Sequence, residues 1–395
     1  MGAWKSVKVS DLGKVITGKT PKTAIAENYG GTIPFLTPSD DMSVKYVKQT
    51  TKTLTERGLL EVKNALLPPD SVCVSCIGSD LGKVVITTEN TVTNQQINSI
   101  IVDKEYFDVS FIYYAMLILG KELNFISKTS TAVPIVNKSL FSSYEIKCPS
   151  LEQQKQISSI LSSFDAMIEC NQKINDNLEQ QAKAFFQELF IDNADPEWAI
   201  GTISDLGTVV GGSTPSKAKP EYYTETGIAW ITPKDLSVNK SKFISHGEND
   251  ITELGLKNSS ATIMPEGTVL FSSRAPIGYI AVAAGEVTTN QGFKSIVPKP
   301  EIGTAFVYYF LKHNLPIIEG MASGSTFKEV SGSTMKVVPA VIPDTDTIAR
   351  FNDFCSPIFA QQRILEEQNQ SLAALRDNLL PKLMSGEIDV SDIDL

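Results

Sequence analysis

The stretch WKSVKVSDLGKVITGKTP, residues 4–21, returns as WAIGTISDLGTVVGGSTP at residues 198–215. Both copies share the opening Trp, an Asp-Leu-Gly triplet and a closing Gly-x-Thr-Pro, at an offset of 194 residues. Solenoid and propeller repeats have periods of about 20–50 residues, so a repeat this long indicates two whole domains. The duplication therefore determines the architecture before any single motif is considered.

Further matches occur in the same order on either side of the quoted stretch. The matching pairs are IPFLTPSD from Ile33 with IAWITPKD from Ile228, LPPDSVCVS from Leu67 with MPEGTVLFS from Met264, and TVTNQQINSI from Thr91 with VTTNQGFKSI from Val287. A matched series of this kind predicts the order domain, segment, domain, segment. We place the first domain at 1–150, the first helical segment at 151–193, the second domain at 194–343 and the second helical segment with a C-terminal tail at 344–395.

Each repeated domain has the pattern of a mixed α/β (α+β) fold. Short β-rich runs at residues 72–75, 84–87 and 269–272 are bounded by Gly, Pro, Asn and Thr, which is typical of strands joined by turns. One helix is predicted at residues 107–119 and recurs at 305–313, with paired tyrosines in each copy.

The two segments that follow the domains have the pattern of long helices. Residues 151–189 contain no Gly or Pro, and their apolar residues recur at alternating steps of three and four, as in a coiled-coil seam. The predicted seam comprises Ile157, Leu161, Phe164, Ile168, Asn175, Leu178, Phe185 and Leu189 on the first helix, and Phe351, Ile358, Leu365, Asn369, Leu372, Leu379 and Leu383 on the second. A helix of about 40 residues is about 60 Å long.

Neither stripe can be buried on its own helix, so we expect the two helices to form an antiparallel coiled coil. Pro357 and Pro381 are expected to interrupt the second helix near its ends. Asn175 and Asn369 either fix the register of the seam at a cost in stability or are solvated polar gaps in it.

The composition is that of a folded globular protein, with 42% hydrophobic and 20% charged residues. The net charge of −10 is uneven: residues 1–150 carry +2, 151–195 carry −5, 196–342 carry −1 and 343–395 carry −6. The acidic excess thus lies in the two helical segments, and the near-neutral domains can still present a local basic face. Apolar runs too short for a bilayer and a start that lacks a signal-peptide core predict a cytoplasmic location.

Three short motifs would indicate chemistry, and each fits a structural explanation better. Residues 13–20, GKVITGKT, satisfy the P-loop pattern, but Val-Ile-Thr favours extended backbone and Pro21 disfavours a helix start. Asp195-Pro-Glu-Trp198 approaches the D-P-P-[YFW] loop of amino-methyltransferases without a glycine-rich cofactor loop. Cys73 and Cys76 form an isolated CxxC, and two histidines complete no zinc set. We therefore expect no catalytic residue, no metal and no cofactor on this chain.

The whole chain resembles the specificity subunits of Type I restriction–modification systems, in which two target-recognition domains are joined by two helices. Pro196-x-Trp198 resembles the opening of a recognition domain in that family. The other similar pieces are residues 148–154 (CPSLEQQ), at the start of the first spacer helix, residues 379–388 (LLPKLMSGEI), similar to the closing signature, and the Thr-Asn-Gln turns at 93–95 and 289–291. The second helix departs from the family by opening with Pro-Asp-Thr-Asp at 343–346, which leaves its start undefined.

The resemblance implies a function and a set of partners. The chain is expected to be a non-catalytic DNA-binding subunit that directs a Type I methyltransferase/restriction complex to a bipartite, asymmetric target on double-stranded DNA. It implies two methyltransferase (modification) subunits that bring S-adenosylmethionine, and ATP/Mg-dependent restriction subunits that the assembly can recruit. Each domain would read one half-site, with the helices as a ruler between them and adenine methylation as the outcome.

Base and phosphate contacts are made mostly by Arg, Lys, Asn, Gln, Ser and Thr. The loop residues of these types that we expect to contact DNA are Lys19, Thr20, Lys22, Ser39, Ser79, Ser213, Ser216, Lys217, Lys234, Ser272, Ser273, Arg274, Ser325 and Lys328. Asn94, Gln95, Asn290 and Gln291 have suitable chemistry, yet their presence in both copies favours a structural turn.

Two other interpretations remain open from the sequence alone. The first is a non-catalytic adaptor whose coiled coil dimerises and whose domains bind protein or glycan, and salt-sensitive DNA binding would distinguish it. The second is an enzyme that uses residues 13–20, for which Lys19→Ala would abolish function.

Overall fold

The computed structural model describes residues 4–78, 81–129, 135–324 and 328–390. It divides the chain into two compact units: unit 1 comprises Met1–Glu169 with Ser371–Leu395, and unit 2 comprises Cys170–Gln370. Each unit combines one repeated domain with a part of each long helix. The domain boundaries inferred from the repeat remain a prediction, because this division follows spatial contacts instead of sequence matches.

Unit 1 contains two four-stranded sheets and one strand pair. Its strands are β1 Lys5–Lys8, β2 Gly13–Thr17, β3 Tyr29–Leu36, β4 Lys52–Leu54, β5 Leu66–Leu67, β6 Ser71–Ser75, β7 Val84–Ile86, β8 Thr91–Thr93, β9 Ile97–Val102 and β10 Glu145–Cys148. The central sheet has the order β2-β9-β6-β7 and is antiparallel. The second sheet, β4-β3-β8-β5, includes the parallel pair β3–β8, and β1 pairs with β10.

The helices of this domain are α1 Glu56–Val62, α2 Val109–Thr129 and α3 Lys138–Ser143. Helix α2 packs on the central sheet, and its Phe111, Tyr114 and Met116 are fully buried in the main core of unit 1. The stretch Val109–Ile126 of α2 is the one candidate membrane span by length and hydropathy among the described residues, and half of it is buried. That degree of burial is what the core helix of a globular domain shows.

The first long helix, α4, spans Leu151–Gln187 and ends in a π-helical turn at Glu188–Asp192. It begins two residues after Pro149, as the sequence pattern predicts.

Unit 2 repeats the same plan. Its strands are β11 Ala199–Thr202, β12 Gly207–Gly211, β13 Tyr223–Thr224, β14 Ile228–Ile231, β15 Phe243–Ile244, β16 Asn249–Ile251, β17 Val269–Ser273, β18 Ile277–Ala283, β19 Thr288–Thr289, β20 Lys294–Pro298 and β21 Pro339–Ile342. Its helices are α5 Ile203–Leu206, α6 Pro233–Val238, α7 Glu253–Lys257, α8 Thr304–His313, α9 Leu315–Gly320 and α10 Gly332–Lys336, followed by the second long helix, α11 Thr345–Ser385. The order β12-β20-β17-β18 reproduces β2-β9-β6-β7, and the parallel pair β14–β19 reproduces β3–β8.

Within each unit, α4 and α11 contact each other in an antiparallel arrangement. In unit 1, Arg376 donates to Asp165 at 2.7 Å. In unit 2, the Asn171 amide donates to Asn369 at 2.9 Å, and Phe185 stacks on Phe351 with ring centroids 6.0 Å apart. The number of the contacted residue falls on α11 as it rises on α4, so the predicted antiparallel pairing is confirmed.

The residues of the predicted seam pack on the domains as well as on the opposite helix. Its buried members are Ile157, Leu161, Leu189, Phe351, Ile358, Leu365 and Leu383, and its half-buried members are Phe164, Ile168, Asn175, Leu178, Phe185, Asn369, Leu372 and Leu379. Many of these also pack on the adjacent domain, together with Phe186, Leu380 and Met384, which the seam pattern did not include. The helices thus bury a broad face against each other and against the domains.

The two seam asparagines do not bond to each other. The Asn175 amide donates to Glu366 at 3.3 Å, its backbone carbonyl accepts from Gln362 at 3.3 Å, and Asn369 accepts from Asn171. The Asn175 side-chain oxygen is buried and has no partner among the described residues. Both asparagines are therefore parts of a polar layer inside the seam.

The prediction that prolines interrupt the second helix is wrong. Helix α11 continues through Pro357 and Pro381. Each proline removes one helical hydrogen bond, but both are exposed, so water can solvate the carbonyl that loses its partner. The neighbouring Ile358, Leu380 and Leu383 are buried and anchor the helix on both sides.

Candidate nucleic-acid interface

Four loops meet at one end of the central sheet in each unit, and the Thr-Asn-Gln turn lies among them. In unit 1 this turn connects β8 to β9, and the Asn94 amide N–H donates to the Leu36 carbonyl at the end of β3. In unit 2 the Asn290 N–H donates to Ile231 at the end of β14 in the same way. The segments matched in the sequence therefore assemble into one equivalent corner in each domain.

The asparagine of each turn has a structural role. The Asn94 side-chain oxygen accepts the Gln96 N–H at 3.0 Å, and the Asn290 oxygen accepts the Gly292 N–H at 2.8 Å. Such side-chain-to-backbone bonds fix a tight turn locally. This geometry favours the structural interpretation of both asparagines.

The glutamine of each turn is exposed and holds the loop after the first strand. The Thr20 hydroxyl donates to Gln95 at 2.6 Å, and Thr214 donates to Gln291. Gly18 precedes Thr20, and a side chain there would overlap the backbone of Thr93 and Asn94. The loop can therefore approach the turn only with glycine at this position, and Gly212 repeats the arrangement.

This geometry excludes a P-loop at residues 13–20. Gly13–Thr17 is strand β2, and the loop after it runs to the Thr-Asn-Gln turn with no helix starting at Lys19 or Thr20. A phosphate site of that type needs the amides of a helix N-terminus.

A third loop follows the strand β6 or β17, and a fourth follows the helix α2 or α9. In unit 1 the backbone N–H of Val136 donates to the Cys76 carbonyl at 3.0 Å, and the backbone N–H of Cys76 donates to the Gln96 carbonyl at 2.8 Å. In unit 2 the backbone N–H of Val330 donates to the Ser273 carbonyl at 3.0 Å, and the backbone N–H of Ser273 donates to the Gly292 carbonyl at 2.7 Å. The described parts of the four loops are thus joined by backbone hydrogen bonds. We call the surface that they form the loop face; it comprises residues 18–25, 76–78, 94–96 and 135–137 in unit 1, and residues 212–219, 274–276, 290–293 and 328–331 in unit 2.

The loop face has a different chemistry in the two units. In unit 2, Glu329 lies 3.6 Å from Arg274 and 3.5 Å from Lys294, so two cations share one carboxylate. In unit 1 the position equivalent to Lys294 is Asn98, which is buried and bonded to Thr17 and to the Val136 carbonyl. Lys294 was missed from the sequence; the signal that could have found it is the charged residue that replaces Asn98 in the repeat.

Most of the predicted DNA-contacting residues are accessible. Lys19, Thr20, Lys22, Ser39, Ser216, Lys217, Lys234 and Lys328 are exposed, and Ser213 and Arg274 are half-buried. Lys234 is engaged by Glu248 at 2.5 Å on the surface. Ser79 and Ser325 lie outside the described residues. As contacts to DNA, the accessible residues stay a prediction.

Two serines must be withdrawn from that set. Ser272 and Ser273 are fully buried in strand β17. The Ser272 hydroxyl donates to the Pro276 carbonyl at 2.9 Å, and the Ser273 hydroxyl donates to Gly292 at 3.1 Å. These hydroxyls hold the loop that carries Arg274 and do not face solvent.

Buried carboxylates and thiols around the loop face have structural settings. Burial raises the pKa of Asp40, but hydrogen bonds from Thr51 and Thr37 outweigh it and hold that pKa below its usual value. Burial raises the pKa of the Cys73 thiol to about 12 and that of Cys76 to about 11, which disfavours the thiolate that metal binding requires. Among the described residues, no group of three or more His, Cys, Asp or Glu side chains is placed to hold a metal ion.

The chain thus carries two domains of similar fold whose loop faces differ in their side chains. This arrangement is typical of a protein that presents two different recognition surfaces. The family described as the Type I restriction modification DNA specificity domain matches residues 1–180 and 196–375. The chain belongs to this family.

The individual relatives are specificity subunits of Type I restriction enzymes. The Type I restriction enzyme MjaIX specificity subunit of Methanocaldococcus jannaschii is 40% identical over 191 residues, which cover 46% of this chain and 44% of that protein. The HindI specificity subunit of Haemophilus influenzae is 22% identical over 98% of this chain and 100% of its own length. The match with the first relative thus spans less than half of its length, and the second is matched from end to end.

A solved structure shows the same fold. The crystal structure of a Type I restriction–modification S subunit from M. genitalium covers 97% of this chain and 96% of its own, with a TM-score of 0.58 and 18% identity. The predicted family, the mixed α/β domains with paired long helices, and the DNA-specificity role in place of a catalytic one are confirmed.

Proposed function

We propose that this chain reads a bipartite, asymmetric DNA sequence, with the loop face of each unit reading one half-site. The observation that carries the proposal is the repeated corner with unlike side chains: the same backbone frame presents Arg274 and Lys294 in unit 2 and the neutral Ile77 and Asn98 at the equivalent positions of unit 1. A shared frame with different side chains suits two readers of different sequences, because base identity is read by side chains and the frame supplies position.

The partners and cofactors follow from the family and belong to the same proposal. Two methyltransferase subunits would bring S-adenosylmethionine, and restriction subunits would bring ATP and Mg²⁺, with this chain binding none of these cofactors. The site of action would be the cytoplasm. Family membership supports this proposal over the adaptor alternative, because the matching family is described as a DNA specificity domain.

The test is a binding titration of the chain, assembled with its methyltransferase subunits, on duplexes that contain the methylated motif found in the host genome. We expect specific binding that weakens steeply with salt, because phosphate contacts release counterions. We also expect that changes in either half of the motif reduce binding. Salt-independent binding, or binding indifferent to the motif, would contradict the proposal.

A further inference from the structure

The paired tyrosines of each repeat pack around a lysine that contacts the long helices; this lysine is buried in unit 2 and half-buried in unit 1. In unit 2, Lys242 is almost fully buried, and its Nζ lies 4.3 Å from the ring centre of Phe359 and 4.8 Å from that of Tyr308. In unit 1, Lys45 lies 4.7 Å from the ring centre of Tyr114 and 5.5 Å from that of Tyr113. Aromatic faces attract a cation at such distances.

The two lysines occupy equivalent positions in the repeat. The Lys45 carbonyl accepts the Ile86 N–H, and the Lys242 carbonyl accepts the Val282 N–H, in each case from the strand that follows the central hairpin turn. The lysines also begin similar triplets, Lys-Tyr-Val at 45–47 and Lys-Phe-Ile at 242–244, so the sequence and the strand pairing agree on the equivalence.

Each lysine head group is bonded to α4, and that of Lys242 is also bonded to α11. In unit 2, Lys242 Nζ lies 2.5 Å from Glu179 on α4 and donates to Gln362 on α11 at 2.5 Å. Tyr309 completes the cluster by donating to Glu179 at 2.7 Å. The domain, α4 and α11 are therefore joined through a single ammonium group.

The cluster in unit 1 is related but not identical, because Lys45 donates to a serine hydroxyl where Lys242 meets a carboxylate. Lys45 donates to Ser162 on α4 at 2.7 Å, and Tyr114 donates to Asp165 on α4 at 2.5 Å. Arg376 on α11 closes the cluster through Asp165. Lysine, tyrosine hydroxyl and an α4 carboxylate are thus the common elements in both units.

An ammonium group held this way restricts movement more strongly than apolar packing does. A hydrophobic contact is non-directional. The Lys242 ammonium, in contrast, contacts oxygens of Glu179 on α4, Gln362 on α11 and Tyr309 on α8, and each hydrogen bond holds only within a narrow range of distance and angle. A domain that rocked on the helices would separate the buried ammonium from its carboxylate, which is unfavourable without water.

We propose that Lys45 and Lys242 are positioning residues that fix the angle of each recognition domain on the helix pair, and so set which spacing between half-sites is accepted. The inference rests on the proposed function. Neither residue contacts DNA in this account; each acts by holding its loop face in place.

The experiment measures how well the assembled complex discriminates spacer lengths. Duplexes carry both half-sites of the motif with the native spacer or with one base pair added or removed, which rotates one half-site by about 34–36° relative to the other. We expect the wild-type complex to bind the native spacer preferentially. Lys242→Met keeps the volume and removes the charge, and we expect it to reduce this preference about tenfold while discrimination within each half-site persists.

Two further variants separate positioning from stability. Lys312→Met removes the half-exposed partner of the same Glu179, and we expect it to keep the wild-type spacer preference. Lys242→Met combined with Glu179→Gln leaves no buried unpaired charge, so we expect it to recover thermal stability without recovering the preference.

The outcomes distinguish this inference from the proposed function. If the double variant, folded and stable, discriminates spacers as the wild type does, the cluster is only structural and the inference is overturned. If the wild-type complex shows no preference for a bipartite motif at all, the proposed function fails and the inference fails with it.

Discussion

Asn98 and Lys294 hold the same register position at the loop end of the two central sheets. Asn98 pairs with Thr17 across β2 and β9, and Lys294 pairs with Gly211 across β12 and β20. Asn98 is 2% exposed and its amide is used internally, whereas Lys294 lies beside Arg274 and Glu329. One repeat therefore closes this corner with a neutral side chain, and the other places a cation there.

Arg274→Ala should impair reading of one half-site only. We expect a loss of roughly 1–3 kcal/mol in binding free energy, as for a lost base contact, which is about a 5- to 150-fold loss of affinity, and relaxed specificity on the half read by unit 2. Titrations with duplexes changed in one half at a time measure both effects. Lys257→Ala is the matched control, since Lys257 is exposed and pairs only with the adjacent Glu253 among the described residues. Equal losses on both halves would count against the assignment of Arg274 to one half-site.

Lys294→Met should reduce the salt dependence of binding. If Lys294 contacts a phosphate when Glu329 is displaced, its removal lowers the slope of log affinity against log salt by about one. Affinity measured from low to moderate salt gives this slope directly. The same slope in the variant and the wild type would place Lys294 away from the DNA backbone.

The repeat predicted most of the architecture because a duplication constrains two domains at once. Matches around Thr91 and Val287 correspond to β8–β9 and β19–β20, which meet the same partners in both units. Helix periodicity predicted α4 and α11 for a similar reason, since a stripe with steps of three and four fits few other structures. It could not show that the domains also pack on those helices.

The site was harder to predict because residue type does not reveal exposure. Ser272 and Ser273 have the chemistry of DNA contacts, yet the alternation of their strand and the close turn at Gly292 bury both. Lys242 has the chemistry of a surface residue and is 7% exposed. Each of these outcomes depends on a partner distant in sequence, which a local pattern cannot report.

Gly212→Ala should destabilise unit 2. A side chain at this position would overlap the Asn290 carbonyl and the Thr289 side chain, neither of which can move without disrupting the turn. We expect a loss of roughly 1–3 kcal/mol in the free energy of unfolding, as for other overpacked sites, measured by denaturant titration. Gly285→Ala is the control, because a side chain there meets nothing within 4 Å. An undiminished stability in Gly212→Ala would show that the loop can withdraw from the turn.

The Glu179 carboxylate should make stability depend on pH in the acid range. Burial alone would raise its pKa, but Lys242 and Lys312 outweigh it and lower the pKa from 4.5 to about 2. Because the pKa is lower in the folded chain than in the unfolded one, the stabilisation is complete above pH 4.5 and is lost as pH falls toward 2. The shift corresponds to on the order of 3 kcal/mol.

Urea titrations between pH 2 and 6 can isolate this contribution. The loss of stability on acidification should be smaller in Glu179→Gln than in the wild type, and Glu253→Gln, which changes a carboxylate that is 83% exposed, should behave as the wild type. Parallel pH profiles for Glu179→Gln and the wild type would mean that folding does not lower the pKa of Glu179.

The cysteines should differ sharply in reactivity. Cys170 is exposed, whereas Cys73, Cys76, Cys148 and Cys355 are buried, and burial raises the pKa of Cys148 and Cys355, like that of Cys73, to about 12. Since the thiolate is the reactive form, a disulfide reagent at neutral pH should modify one thiol in the native protein and all five after unfolding. Rapid reaction of Cys73 and Cys76 in the native state would argue for a redox or metal role.

The most direct test of the central claim is a whole-genome map of methylated adenines in the host, in the presence of the gene, after its deletion and with Arg274→Ala in its place. The account predicts that deletion removes methylation from one gapped, asymmetric motif. It also predicts that Arg274→Ala relaxes the letters on one side of the gap and leaves the other side unchanged. Methylation that persists on every motif after deletion, from a host that demonstrably expresses the protein, would contradict it.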